Sequence, residues 1–467
     1  MDTSKTRDTR STTTEQTSFL DKIFRALSWA ALMLLVFIAG ALLTVSETFP
    51  GPQIERAYEG GMALYRQYTQ YQDVYAGDIW RDERRSEKGV TIHEPGLAQD
   101  GLTLYTSGNA PAAYLIDMNG DVVHEWRRPF SEIWQEGVGS IEKPRPDEFV
   151  HMRNARALPN GDLIALYEGN GDTPYGYGVV KLDRDSNVIW SYPGRTHHQL
   201  DIAPDGKIYV LTHEVVDDEV DVLGKQPRLE DFLVVLSPDG EELQKTRLLT
   251  TLGQSKYARM LESVPGRTLW DPLHNNTVEY IDRQKARNFA FGEEGQVLVS
   301  FRALHVIAVF DPETEDFTWA TRGPWDAQHD PDILPNGNIL LFDNRGNQNE
   351  AEGESRILEL DPQTMEIVWQ YRGTAEQPFA SQIRGDQQRL ANGNTLITES
   401  DGGRLLEVTP EGEIVWEFLN PDRGGPDDKM IPVMTWAQRL DRSMFNAEFL
   451  PPSLAAAKPG PETETSQ

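Results

Sequence analysis

Gln328-His329-Asp330-Pro331-Asp332-Ile333-Leu334-Pro335-Asn336-Gly337-Asn338-Ile339-Leu340-Leu341-Phe342-Asp343-Asn344-Arg345 reads as strand, tight turn, strand. In Pro335-Asn336-Gly337-Asn338 the Asn and Gly tolerate the positive φ that a tight hairpin needs. The flanking apolar runs are strand-like. A hairpin returns its two outer ends to the same side, so His329 at the entry and Asn344-Arg345 at the exit are predicted to share one face.

The same unit recurs. Leu158-Pro159-Asn160-Gly161, Ala203-Pro204-Asp205-Gly206 and Leu390-Ala391-Asn392-Gly393 repeat the turn, and Glu293-Glu294-Gly295 is a degenerate copy. A second half-repeat is an apolar strand, a turn and a strand carrying Trp. Its turn residues are Asp117, Asp183, Ser237, Asp311, Asp361 and Thr409, and the Trp residues are 126, 190, 319, 369 and 416, with none in the third copy. Two hairpins make four strands per unit. Six such units spaced by 48 to 74 residues predict an all-β, six-bladed β-propeller over 101–421. A β-sandwich is the runner-up, but six units are too many for one. The outermost Trp of each unit is expected to pack between neighbouring blades.

Outside the repeats the composition changes. Ala26 to Ser46 is uncharged, mostly apolar and long enough to span a bilayer, with Lys22 and Arg25 before it. The expected organisation is a disordered cytoplasmic tail (1–25), a transmembrane anchor (26–46) and a juxtamembrane stalk (47–100), with a helix from about Ile54 to Arg85. After the propeller comes a closing segment with a disordered tail (422–467). The basic residues before the span predict a propeller on the periplasmic or extracytoplasmic side. A cleaved signal peptide is the alternative. The 467-residue chain has a formal charge of −30 and no Cys. That charge argues against nucleic acid as a partner. The missing thiols exclude disulfides, zinc–thiolate sites and Cys nucleophiles.

Aligning the units gives the residues at one mouth of the channel. Six residues before each turn Pro stand Arg153, His198 and His329, and His274 enters the fourth unit. Seven residues after each turn Gly stand Glu168, His213, Arg302, Asn344 and Ser400, with Arg345 beside Asn344. Four of the nine His therefore map to one opening. The other five, His93, His124, His151, His197 and His305, are read as structural. Neutral His serves as base, nucleophile or metal ligand. Arg offers forked donors to a tetrahedral oxyanion. The set suits transfer of a phosphoryl-like or sulfuryl group, and a His-ligated ion is also open.

Three motifs carry a resemblance: Trp270-Asp271-Pro272-Leu273-His274-Asn275-Asn276-Thr277-Val278; Gln328-His329-Asp330 with its hairpin and Asp343-Asn344-Arg345; and Gln388-Arg389-Leu390-Ala391-Asn392-Gly393-Asn394-Thr395-Leu396 running to Val415-Trp416-Glu417. Together they resemble the bacterial arylsulfotransferase family. The resemblance implies a six-bladed periplasmic propeller that moves a sulfuryl group from an aryl sulfate to a phenol without a nucleotide donor or other cofactor. It implies small-molecule partners, an aryl sulfate and a phenolic acceptor. It also implies His329, His274 and Arg345 as catalytic residues; the shared mouth adds Arg302, Asn344, His198 and His213 as expected substrate-binding residues, and no metal is expected. In that family one His is transiently sulfurylated, and its place here falls near Ser381-Gln382-Ile383-Arg384-Gly385-Asp386-Gln387, where no His stands. This departure leaves open a propeller that binds an anionic ligand or partner without turnover, and the converging His leave open a His-ligated metalloenzyme.

Overall fold

The computed structural model describes residues 11–45, 73–134, 141, 143–172, 175–220, 222–264, 268–348 and 350–450. The chain divides into two compact units, Met1–Gln72 and Asp73–Gln467.

Among the described residues of the first unit, Ser11–Val45 forms a helix. Within it Asp21–Leu43, 23 residues, is long and apolar enough to cross a membrane. Phe24, Trp29, Leu35 and Phe37 stand exposed on it. The helix begins inside the segment expected to be a disordered tail. No Pro interrupts Ser11–Val45, and extending an existing helix costs far less than starting one. Residues 1–10 and 46–72, and with them the first half of the expected stalk, lie outside the described residues.

The second unit is a six-bladed β-propeller. Blade 2 is Val150–Ala157, Leu163–Gly169, Gly176–Leu182 and Val188–Tyr192, from the channel outward. Blade 3 is Thr196–Ile202, Ile208–Val216, Arg228–Leu236 and Glu242–Arg247, and blade 4 is Asn275–Tyr280, Val297–Phe301, Val306–Asp311 and Asp316–Arg322. Blade 5 is His329–Ile333, Ile339–Asp343, Arg356–Leu360 and Ile367–Arg372, and blade 6 is Asp386–Arg389, Thr395–Glu399, Arg404–Val408 and Ile414–Leu419. Blade 1 closes the ring: its inner strand, Met434–Leu440, comes from the far end of the propeller sequence and pairs with Leu102–Ser107, followed by Ala112–Ile116 and Val122–Arg127.

Two sequence boundaries need correction. The propeller does not stop at residue 421, because Met434–Leu440 is one of its inner strands. Residues 73–85, expected to end a helix, hold only the single turn Val74–Ala76, and 73–100 belong to the second unit rather than to a stalk. Trp80–Asp82 pairs with Met430–Pro432, and Gly89–His93 adds a fifth strand to the outer edge of blade 6. Val90 and Ile92 are β-branched and suit a pleated surface, and the added strand covers an edge that would otherwise expose unpaired backbone groups.

The hairpin turns form as their residues dictate. Gly337 has φ 88°, and a Cβ there would come 2.2 Å from Asn288 O of blade 4. Asn336 Oδ1 accepts the Asn338 N–H at 3.0 Å. The apolar core is divided into layers between successive blades. Leu298, Ile307 and Val309 of blade 4, for example, meet Ile333, Ile339, Leu341 and Leu358 of blade 5.

Four of the outer-strand Trp residues tie their blade to the next. The indole N–H of Trp126 donates to Gly161 O, that of Trp190 to Pro238 O, that of Trp369 to Pro410 O and that of Trp416 to Met118 O, at 2.7–3.1 Å. In blade 3 the equivalent position, opposite Val235, is Gln244. Its amide makes the same link, donating to Pro312 O of blade 4 at 2.7 Å.

Candidate functional site at one mouth of the channel

The inner strands are not regular where they reach the mouth. Register shifts lie between Met152 and Asn154, His197 and Leu200, Asn275 and Val278, His329 and Asp332, and Met434 and Trp436. Such bulges re-aim side chains. His198 and Asp330 within them take φ values of 57° and 49°, and His274 just before its strand takes 47°. For non-glycine residues these left-handed conformations are strained and persist only where the surroundings enforce them.

The outcome is three imidazoles from three consecutive blades. The His198 ring lies 5.2 Å from that of His274 and 6.4 Å from that of His329, centroid to centroid. His329 Nδ1 is 2.7 Å from Asn344 Oδ1. The Asn344 amide nitrogen donates to Ser381 O at 2.7 Å and Arg384 O at 2.6 Å. With both amide hydrogens spent on carbonyls, Oδ1 is the acceptor, so His329 carries its proton on Nδ1 and its lone pair on Nε2. His274 Nδ1 contacts Asp271 Oδ2 at 2.5 Å. The backbone N–H of His198 donates to Glu168 Oε1 at 2.8 Å, and Glu168 also faces Arg153 and His151 at 3.7 and 3.9 Å.

Burial and positive neighbours keep His198, His329 and His151 neutral. His329 is pushed well below the ordinary histidine value by burial first and then by Arg302. His198 is pushed down by burial and by His197 and His274. His151 falls to about 3, by burial and then by Arg384 and Arg153. Asp271 is buried, which alone would raise it, but the charge and hydrogen bond of His274 hold it below the usual carboxylate range.

Two guanidiniums complete the mouth. Arg302 is depressed by burial and then by the charge of Arg345, and its Nε is buried without a hydrogen-bond partner. The backbone N–H of Arg345 donates to Asp326 O. Like charges held near each other, with donors unspent, favour an anion between them.

The structure thus brings together His198, His274, His329, Asn344, Arg302 and Arg345. His213 is placed differently: it is enclosed, stacked on His197 at 4.4 Å and capped edge-on by Tyr175 at 4.7 Å. His151 and His197, expected to be structural, belong to the same cluster. Asp271, Asp231 and Tyr175 were not anticipated. Only Asp271 left a trace in the sequence, three residues before His274. Where an additional His was sought, at 381–387, Arg384 pairs with Asp78 at 2.9 Å.

Further along the channel Asp201, Glu279, Asp330, Asp332, Asp386 and Gln387 help to line a cavity of about 180 Å³. Burial, then the neighbouring Asp330, pushes Asp332 and Asp386 well above the usual carboxylate value. Glu279 rises to about 7, by burial, with Lys285 opposing.

Residues 154–421, more than half of the chain, match the profile of the family described as Arylsulfotransferase (ASST). No curated protein matches. Among solved structures, a protein of unknown function from Bacteroides caccae is 16% identical, with TM-score 0.44, covering 72% of this chain and 99% of its own. A virginiamycin B lyase from Staphylococcus aureus is 11% identical, with TM-score 0.38, covering 73% and 87% respectively.

Proposed function

We propose that this chain, which belongs to the arylsulfotransferase family, moves a sulfuryl group from an aryl sulfate to a phenol through His329. The observation that carries the reading is the Asn344 clamp: it fixes the His329 proton on Nδ1 and leaves Nε2 as a lone pair among positive groups. An imidazole kept neutral by burial is a competent nucleophile at neutral pH.

In the proposed reaction His329 Nε2 attacks sulfur and the S–N bond forms as the S–O(aryl) bond breaks. The leaving phenolate takes the Nε2 proton of His274, which enters the step as an imidazolium whose Nδ1–H faces Asp271. The N-sulfuryl imidazolium keeps its Nδ1–H on Asn344 Oδ1. The acceptor phenol then gives its proton back to His274 while its oxygen attacks sulfur, and N–S cleavage restores neutral His329. Arg302 and Arg345 hold the sulfuryl oxygens, where charge stabilisation matters most, and His198 closes the third side. Asn344 acts on His329 rather than on substrate. Asp271 orients His274, much as a carboxylate orients the base in hydrolytic triads. His213, being enclosed, stands behind this set.

In this reading the propeller works outside the cytoplasm, anchored by the Asp21–Leu43 helix; the apolar length of that helix and the basic residues before it support it. The test is turnover of an activated aryl sulfate with a phenol acceptor by the full chain in detergent, together with intact mass after donor alone. A sulfuryl adduct that His329→Ala abolishes is the expected result. No adduct and no turnover in folded protein over a broad donor panel would count against the reading. Saturable binding of the donor without product would instead favour an anion-binding propeller, the role to which the absence of His at 381–387 points.

A further inference from the structure

We propose that His197, His213 and Asp231 form a site for a divalent transition metal, built into blade 3 beside the imidazoles of the mouth. Each residue comes from a different strand of one sheet: Thr196–Ile202, Ile208–Val216 and Arg228–Leu236. His213 and Asp231 are direct cross-strand partners, and the His197 ring stacks on His213 with its plane tilted 25°. Ligands carried by three hydrogen-bonded strands are positioned more firmly than ligands on loops.

The nitrogens have no other occupation. His197 Nε2 is 3.2 Å from Asp231 Oδ1, yet neither it nor His213 Nε2 makes a hydrogen bond, and both are fully buried. A simple His–carboxylate pair would aim an N–H along the line to the oxygen, and this ring is turned off that line. Buried imidazole nitrogens rarely lack a partner. One ligand atom from each residue lies within 4.8 Å of the others. Ligand atoms around a tetrahedral zinc with bonds of about 2.0–2.1 Å are roughly 3.3 Å apart, so small side-chain rotations close the shell. Two imidazoles and one carboxylate suit zinc and its divalent neighbours, with a position left open.

The outer shell is also in place. Asp231 Oδ2 accepts the Asn275 N–H at 3.3 Å. His197 Nδ1 lies 2.8 Å from His198 Nδ1. With its Nε2 on a metal, His197 keeps a proton on Nδ1 and donates it to His198, a usual arrangement for ligating His. That fixes His198 as the tautomer with N–H on Nε2, so the ion sets the donor character of one mouth imidazole without touching substrate.

The test is elemental analysis of the full chain, stripped with chelator and dialysed against ZnCl2. One zinc per chain is expected, with a higher melting temperature than the stripped form. CoCl2 in its place is expected to give visible bands of four- or five-coordinate cobalt. Asp231→Asn and His213→Ala should each abolish stoichiometric zinc. Substoichiometric zinc in folded wild-type protein, or full retention in both variants, overturns the proposal. If His213→Ala does not fold, Asp231→Asn and the wild-type cobalt spectrum decide. These readouts are separate from turnover: a zinc-loaded chain that transfers no sulfuryl group defeats only the proposed function, and a metal-free chain that does transfer it defeats only the metal site.

Discussion

His274 Nδ1 stands 2.5 Å from Asp271 Oδ2, three residues apart in sequence. This contact leaves Nε2 as the ring nitrogen without a protein partner among the described residues. His274 is also the most open imidazole of the mouth, its side chain 27% exposed. A proton donor to the leaving phenolate needs such access and such a carboxylate behind it. Asp271→Asn keeps an acceptor but removes the charge. It should lower kcat/KM about 10- to 100-fold for aryl sulfates of poorly acidic phenols, and little for nitrophenyl sulfates that need no proton. An equal loss across the donor series would remove His274 from the role of acid.

Asn344 sets the tautomer of His329. Burial and Arg302 keep His329 well below the ordinary histidine value, so the acid limb of the kcat/KM profile should lie well below pH 6.5. Asn344→Asp puts a carboxylate against Nδ1 and favours the imidazolium. The acid limb should then move to higher pH, with kcat reduced because less of the ring is neutral. A pH–rate profile on both proteins checks this, and an unmoved limb would mean that His329 is not the titrating group.

The buried imidazoles also predict how stability depends on pH. His151 falls to about 3 when folded and returns to about 6.5 when unfolded. Below pH 6.5 the unfolded chain therefore binds more protons, and stability declines as pH falls from about 6.5 toward 3. His198 and His329 act in the same direction. The melting temperature should drop between pH 7 and pH 5, and His151→Gln should make that slope shallower. A slope unchanged in the variant would contradict the assignment.

Asp386 and Asp330 share a hydrogen bond in the channel, and Asp386 is raised well above 3.8 by burial and then by its acidic neighbours. A carboxyl raised on folding costs stability as pH climbs from the unfolded value toward the folded one. Asp386→Asn can still donate to Asp330 and carries no charge. It should stabilise the protein by about 1–2 kcal/mol at neutral pH and by much less near pH 4, read from urea unfolding. Equal effects at both pH values would show that repulsion is not the cause.

The blade count, the hairpins and the mouth location were readable because turn chemistry repeats: Pro-Asn-Gly recurs, and fixed offsets from it reach Glu168, His213, Arg302 and Asn344. The offsets misled where backbone irregularity intervenes. Counting six residues back from each Pro equates His198 with His329. In the structure His198 sits inside a bulge, whereas His329 is paired with Phe342. That one-residue difference makes His197 as well as His198 part of the cluster and encloses His213. Asp231 and Tyr175 come from positions with no motif of their own, so only folding reveals them. The innermost strand of blade 1 was missed as such because Met434–Leu440 has no hairpin partner next to it in sequence, and its partner is more than 320 residues away.

That last pairing has a temporal consequence. A ribosome delivers Leu102–Ser107 early and must reach Leu440 before those residues meet their inner neighbour. Until then the first blade has an open flank and the ring is a curved ribbon with two loose ends. The mouth that gathers His198, His274 and His329 is held in shape by a clasp fastened near the end of synthesis, so an unfinished chain should have neither the circle nor its chemistry.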